Sequence, residues 1–553
     1  MIVTCKKLGF ETEGKAVSCE EDFEVEGYTV FTCPALYHKV KDRVDEYRVL
    51  DLRVLKAFKN PEKVAKSVLE SEKVPLNYVF DTVQVGRDVV YSGDNLEIIE
   101  ELSSHCNLTV VTDNEELIRR LYPYEVRVVR GKVKGIEGEV GNFRIYVDGY
   151  DLVEGRRVDV LRAGQVICKG FNGVEGIYGD DFHGAFKVLS NLGGYLKLVA
   201  VKVDHDICGA YKSGLKGCNH CLSCPSVSLK DGKVKVDLST CKACGFCSSI
   251  CFTSAMKSVL LPHDSIIERI DRVSNLGFDT LTFACERSLV DLNDLKELPD
   301  TALILLPCLN YLNEVHYLYA VLRGFKVLAI PCECDRFRPD CFEIASNTLK
   351  AFGFNCLRLT SWNDFERDLK SLCEPPNVRF ELEGKNKREM WLSLVSALMV
   401  YEVKESRFDS KYFGFVEINE NCTLCNSCVN FCPMNALRKE VGKIIFNHGL
   451  CIACELCSKA CPENALRVEK GLDFQRLGER IVFEDEMVRC PRCGRPHISK
   501  RAYEKLKALT GMEKSLLFCK DCRPVTILEG VYEEIKRDLE ELKRRRVGDG
   551  GDR

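Results

Sequence analysis

Cys422–Pro433 reads CTLCNSCVNFCP and Cys451–Pro462 reads CIACELCSKACP. Each half is Cys-x2-Cys-x2-Cys-x3-Cys-Pro, and the second begins 29 residues after the first. The repeat outlasts the cysteines, since Met434-Asn435-Ala436-Leu437 is answered by Glu463-Asn464-Ala465-Leu466. Three thiolates on one tight loop can take three irons of a [4Fe–4S] cube, and the fourth comes from the other half after the chain turns at the proline. The spacing therefore groups Cys422, Cys425 and Cys428 with Cys461, and Cys451, Cys454 and Cys457 with Cys432.

This is bacterial-type ferredoxin spacing, with two clusters expected. An imperfect copy lies upstream. Cys241, Cys244, Cys247 and Cys251 keep the spacing, with Phe252 where the proline stands elsewhere. The earlier half, Cys218, Cys221 and Cys224-Pro225, is one residue short between its last two cysteines. Cys224 is read as the crossing ligand of Cys241, Cys244 and Cys247. The other set, Cys218, Cys221 and Cys251, lacks a thiolate, and Cys208 is the candidate to supply it. One or two clusters are expected here; a three-iron cluster or a metal-free site is the alternative.

Two further groups follow other logic. Cys490-Pro491-Arg492-Cys493 and Cys519-Lys520-Asp521-Cys522 are paired CxxC knuckles, suited to one tetrahedral S4 site. Zinc in a stabilising ribbon is expected there, and a rubredoxin-like iron fits the same thiolates. Three apolar runs, Leu281–Cys285, Leu303–Cys308 and Val327–Cys332, each end in cysteine, with a helical stretch Glu314–Arg323 between the last two. Buried strands alternating with helices predict a parallel sheet, whose carboxyl ends would gather Cys285, Cys308 and Cys332. Cys334 and Cys341 follow, so five thiols are offered to a [2Fe–2S] centre needing four; a redox dithiol or simple burial is the alternative. Cys5, Cys19 and Cys33 close three short strand-like runs with no evident fourth ligand.

Composition sets the background. There are 32 cysteines in 553 residues, too long a chain to need disulfides for its core. Met1–Phe10 has no signal-peptide character and no apolar run is long enough to span a membrane, so a reducing cytoplasm, metal-ligand thiols and no membrane insertion are expected. A net charge of −4 gives no reason to expect nucleic acid as a partner. Val89–Tyr91, a helix Asn95–Ser104 and Leu108–Val111 outline a nucleotide-binding βαβ unit. Ser92-Gly93-Asp94-Asn95 offers one glycine where the dinucleotide loop needs three, so FAD is not expected. No nucleophile elbow or zincin motif is present, and no catalytic residue is assigned. Tyr532–Arg546 is a charged amphipathic helix with Ile535, Leu539 and Leu542 on one face.

On these residues the chain resembles the flavin-binding subunit of heterodisulfide reductase fused to the delta subunit of its associated hydrogenase, an arrangement also found in one component of the quinone-interacting membrane-bound oxidoreductase. Cys33-Pro34-Ala35-Leu36-Tyr37-His38 is similar to that family's Cys-Ser-Pro-x-x-His stretch, and Gly138–Phe143 to the stretch after its flavin-domain strands. The resemblance covers residues 1–372 and implies an electron-transfer subunit of a larger redox complex, with protein subunits as partners. It does not imply electron bifurcation, which needs a flavin.

The expected architecture is multidomain α/β and α+β. A small α/β domain spans 1–75, a degenerate nucleotide-binding-like domain 76–203 and a first ferredoxin module 204–262. A delta-like parallel α/β [2Fe–2S] domain spans 263–375, a helical linker 376–412 and a second ferredoxin module 413–473. A zinc ribbon spans 480–530, and a charged helix and tail 531–553. The expected function is a relay of single electrons; a flavoenzyme with an atypical loop and a docking scaffold are the alternatives.

Overall fold

The computed structural model describes residues 2–5, 15–17, 29–32, 47–170, 174–334 and 336–548. The chain is mixed α/β, with several sheets. At its centre four parallel strands run in the order Ala302–Leu306, Thr280–Cys285, Lys326–Ile330 and Leu357–Leu359. The first three are almost wholly buried and mostly apolar, as strands of a covered parallel sheet are. The crossover helix Glu314–Leu322 starts with a capping box: Asn313 accepts from the Val315 and His316 amides, and His316 Nδ1 accepts from the Asn313 amide. It ends at Gly324, whose φ is 97°. Cys285 closes its strand, and Cys308 and Cys332 stand two residues beyond theirs, so all three come to one edge of the sheet.

The helix Pro61–Glu72 lies along the edge strand Ala302–Leu306, where Ser67 Oγ accepts from the Leu303 amide at 2.8 Å. Its last residue, Glu72, is buried between two arginines. Arg48 Nε is 2.9 Å away and Arg269 Nη1 3.0 Å. Both guanidiniums also donate to the Leu305 carbonyl. Arg48 belongs to a four-stranded parallel sheet in the order Lys15–Val17, Ile2–Cys5, Thr29–Phe31 and Tyr47–Val49, so the triad joins that sheet to the central one. Cys19, Cys33 and the stretch Cys33–His38 lie outside the described residues, and of Cys5 only the backbone is described.

Residues 376–412 contain the helix Lys387–Leu398, capped by Asn386, which buries Trp391, Leu394, Val395 and Leu398 in the central core. A seven-stranded sheet carries the βαβ unit. Its strands Asp88–Ser92 and Asn107–Thr112 are parallel, joined through the helix Leu96–Ser103, and the hairpin Arg127–Glu139/Asn142–Asp151 extends the sheet.

The two ferredoxin-spaced segments share one plan. An outer strand pair closes the ends: Val201–Val203 with Met256–Ser258, and Gly414–Ile418 with Leu466–Lys470. An inner hairpin separates the two cysteine halves: Val227–Lys230 with Lys233–Val236, and Leu437–Glu440 with Lys443–Asn447. The hairpin Met487–Arg489/Pro496–Ser499 and the helix Lys500–Thr510 follow, then the long helix Arg523–Gly548. Among the described residues no helix is long and apolar enough to cross a membrane.

Removing one partner of a buried ion pair strands the other charge, at a cost of about 3–5 kcal/mol. Glu72→Ala should therefore destabilise the protein by about that much, read from denaturant unfolding followed by circular dichroism, whereas Glu70→Ala on the same helix should change little.

Candidate metal centres

The cysteine loops share an unusual backbone. Leu424, Asn426 and Asn435 have φ of 55°, 76° and 51°. Ala453, Glu455 and Asn464, each 29 residues later, have 51°, 60° and 49°. Ala243, Gly245 and Ser254 repeat the same three positions at 51°, 82° and 58°. A left-handed residue other than glycine costs about 1–2 kcal/mol, so a strain repeated three times points to a ligand that the loops wrap. Their amides turn toward sulfur: Leu424 N–H donates to Cys422 Sγ (3.5 Å), Ala436 to Cys432 (3.2 Å), Ala465 to Cys461 (3.3 Å) and Met256 to Cys251 (3.3 Å).

Cys422, Cys425, Cys428 and Cys461 line one cavity, with Ile418, Ile444 and Leu466. Cys432, Cys451, Cys454 and Cys457 line a second, with Val416, Phe446 and Val468. Burial lifts the Cys428 and Cys451 thiols to about 12, and the neighbouring sulfurs of each set push in the same direction. Residues 421–466 match the family model described as a 4Fe-4S dicluster domain. No curated protein matches the chain. The matched residues hold both sulfur sets, and four thiols around an apolar cavity are the donor set of a [4Fe–4S] cluster.

In the upstream segment Cys224, Cys241, Cys244 and Cys247 line a third cavity, together with Lys242, Arg336 and Arg338. The Gly209 carbonyl, next to Cys208, accepts from the Cys218 amide (2.8 Å), which sets Cys208 beside the remaining cysteines. Burial raises the Cys221 thiol to about 12, with Cys251 and Cys208 adding to it. Burial likewise raises Cys218, with Cys251 and Cys221 adding. Cys221 sits in a short 3-10 turn, His220–Ser223, without the left-handed residues of the other halves, which accommodates the missing residue before Cys224.

At the sheet edge the structure brings together four of the five thiols. Cys332 and Cys334 are 3.1 Å apart. Burial raises the Cys332 thiol, with Cys334 and Cys285 reinforcing it. Burial raises Cys308 to about 12, with Cys244, Cys285 and Cys334 adding. Cys341 is placed elsewhere. It lies on the helix Asp340–Ala351, and its thiol donates to the Ser249 carbonyl (3.4 Å) beside the buried pair Lys387–Glu314.

The sulfurs of Cys490, Cys493, Cys519 and Cys522 all lie within 4.8 Å of one another, and Cys493 and Cys519 are 3.7 Å apart. A tetrahedral zinc with Zn–S bonds of ~2.3 Å sets its sulfurs roughly 3.8 Å apart, so the knuckles suit a single ion. Backbone N–H groups, that of Cys519 foremost, hold the Cys490 thiol below its ordinary range. The ribbon packs on the first cysteine loop through Ser499 Oγ to the Thr423 carbonyl (2.9 Å).

Consecutive groups are neighbours. The short helices Ser427–Phe431 and Leu456–Lys459, which carry Cys428 and Cys457, pack together. The two cysteine-rich modules meet at an interface so tight that a Cβ on Gly209 would stand 3.0 Å from Pro433 and one on Gly217 2.5 Å from Leu456. His220 Nε2 and the Ile452 carbonyl bridge the same interface at 2.9 Å. The turn His220–Ser223 and the helix Phe246–Ser249, which carry Cys221 and Cys247, pack together. Tyr311, three residues after Cys308, donates to the Ala243 carbonyl (2.8 Å) beside Cys244. His220 and His448 are spent on backbone groups and burial holds each near pKa 4, so both are hydrogen-bonding residues. Phe252 packs beneath Lys387 Nζ (3.9 Å) and Arg388 Cζ (4.2 Å), which explains an aromatic ring in the usual place of proline.

The βα turn of the seven-stranded sheet does not fit a dinucleotide. The Asp180 carboxylate would meet a Cβ on Gly93 at 2.6–2.7 Å and accepts from Tyr91 Oη at 2.5 Å. Asp180 is almost fully buried there, a negative charge where a pyrophosphate would have to lie.

Cys208→Ser should lower the iron content of anaerobically purified protein by between about one and four atoms per chain, the loss of one iron or one cube. Cys341→Ser should leave it unchanged. Equal iron in the two variants would contradict the placement of these thiols.

Proposed function

We propose that the chain is an iron–sulfur electron-transfer subunit that relays single electrons within a larger cytoplasmic oxidoreductase complex of heterodisulfide reductase and hydrogenase type. The observation that carries this reading is the row of five cysteine groups, from Cys422 at one end to Cys332 at the other, in which the elements that carry one group pack on those that carry the next. Iron–sulfur clusters supply one-electron steps at such thiolates.

The chain's own residues do the rest. Thiols from loops far apart in sequence hold each group. Apolar side chains such as Val416, Phe446 and Val468 keep water from the sulfurs. The amides of Leu424, Ala436, Ala465 and Met256 donate to sulfur and so bear on the potentials. Gly209 and Gly217 let the two cysteine-rich modules approach closely. Under this reading the four groups with ferredoxin-like loops take [4Fe–4S] clusters, the sheet-edge group of Cys285, Cys308, Cys332 and Cys334 takes a [2Fe–2S] cluster, and the ribbon takes zinc. The Asp180 carboxylate at the βα turn supports a relay without its own flavin. Substrate chemistry then belongs to partner subunits.

Anaerobic purification from the native host tests this. About 18 irons per chain, four cubes and one two-iron centre, with matching sulfide, no released flavin and co-purifying oxidoreductase subunits are expected. Fewer than about eight irons, or flavin at one per chain, would overturn it.

A further inference from the structure

The helix Arg523–Gly548 leaves the second knuckle of the ribbon and runs through 26 residues, about 39 Å. Val525, Leu528, Tyr532, Ile535, Leu539 and Leu542 follow one another at intervals of three, four, three, four and three. That is the a/d seam of a coiled coil. All six side chains are exposed, between 41% and 69%, so nothing among the described residues covers the seam. Ile527 and Val531 widen it and are 51% and 48% exposed. Gly530 costs such a helix about 1 kcal/mol relative to alanine, and most helices owe their stability to packing of an apolar face. The opposite face is charged: Glu533, Glu534, Arg537, Glu540 and Arg544. Its glutamates disfavour an anionic membrane surface as the cover.

We propose that this helix pairs with the same helix of a second copy as a parallel two-stranded coiled coil, making the protein a twofold homodimer. The seam is apolar in every layer, so like can face like, as a twofold interface requires. The flanking charges select the direction. In a parallel pair the residue before an a position faces the residue after the next d position across the seam. Asp538 then faces Lys543 of the second copy, twice by symmetry, and Val531 faces Lys536, whose methylene stem can lie over it. Antiparallel pairing in the same layers would set Lys536 against Lys536. Glu529, which would face Pro524, is held by Arg492 of its own chain at 2.6 and 3.1 Å, which fixes the start of the helix on the ribbon. The parallel dimer sets the two ribbons side by side at one end of the coiled coil.

Light scattering on the full-length, metal-loaded protein during anaerobic gel filtration tests this. The wild type should have twice the chain mass of 62.6 kDa. Ile535→Glu with Leu539→Glu should run at a single chain mass with iron and zinc content unchanged. Asp538→Lys, on an exposed face where folding is not at stake, should weaken the dimer at least tenfold in dissociation constant. Adding Lys543→Asp to it should restore the dimer. A wild-type monomer, including one that binds only a different protein through this helix, would overturn the proposal. So would a dimer untouched by the seam substitutions, or a charge swap without effect.

Discussion

Each cysteine group is closed by a sulfur from outside its own loop. Cys461 closes the set at Cys422–Cys428, Cys432 the set at Cys451–Cys457, and Cys224 the set at Cys241–Cys247. Cys208 and Cys251 stand beside Cys218 and Cys221. The sheet-edge set draws on the ends of three strands. A thiolate that must reach across the fold ties the loops together and fixes their spacing. That requirement accounts for the left-handed residues at Leu424, Ala453 and Ala243, which bend the chain where a relaxed turn would carry the sulfurs apart. It also accounts for the shared plan of an outer strand pair around an inner hairpin.

The second constraint is charge. Buried thiols gathered in groups become a store of negative charge once deprotonated, and the fold sets cations against it. Lys387 pairs with Glu314 under the upstream module, while Arg388 lies 3.7 Å over Phe413 and 4.2 Å over Phe252 and donates to the Tyr412 carbonyl. Two adjacent residues at the start of one helix thus stand at the junction of the two modules. The stretch that holds them is part of the core.

The sequence made some of this legible and left the rest dark for physical reasons. Spacing within short loops is local information, so the crossed sets at Cys422–Cys461 could be read from it, as could the three strands that run up to Cys285, Cys308 and Cys332, two of which stop two residues short of the cysteine. The place of Cys341 could not. A cysteine seven residues after Cys334 has the right distance along the chain, but the helix Asp340–Ala351 begins before it and turns its thiol toward Ser249. The contact of Pro61–Glu72 with Ala302–Leu306 and the close approach at Gly209 and Gly217 depend on residues more than 200 positions apart, which periodicity does not encode. Asp180 is also distant in sequence from the Gly93 turn it occupies. The C-terminal helix begins nine residues before Tyr532, because the second knuckle and Pro524 start it.

The central claim is that the five groups form one continuous row whose inner junction is the contact between the two modules. Electron paramagnetic resonance of the fully reduced, metal-loaded protein tests it most directly. Neighbouring reduced clusters should give broadened and split signals. Gly217→Leu, whose Cβ would stand 2.5 Å from both Leu456 and the Gly209 carbonyl, should simplify the splitting that arises at this junction. A wild-type spectrum that is the plain sum of isolated, non-interacting clusters would contradict the account.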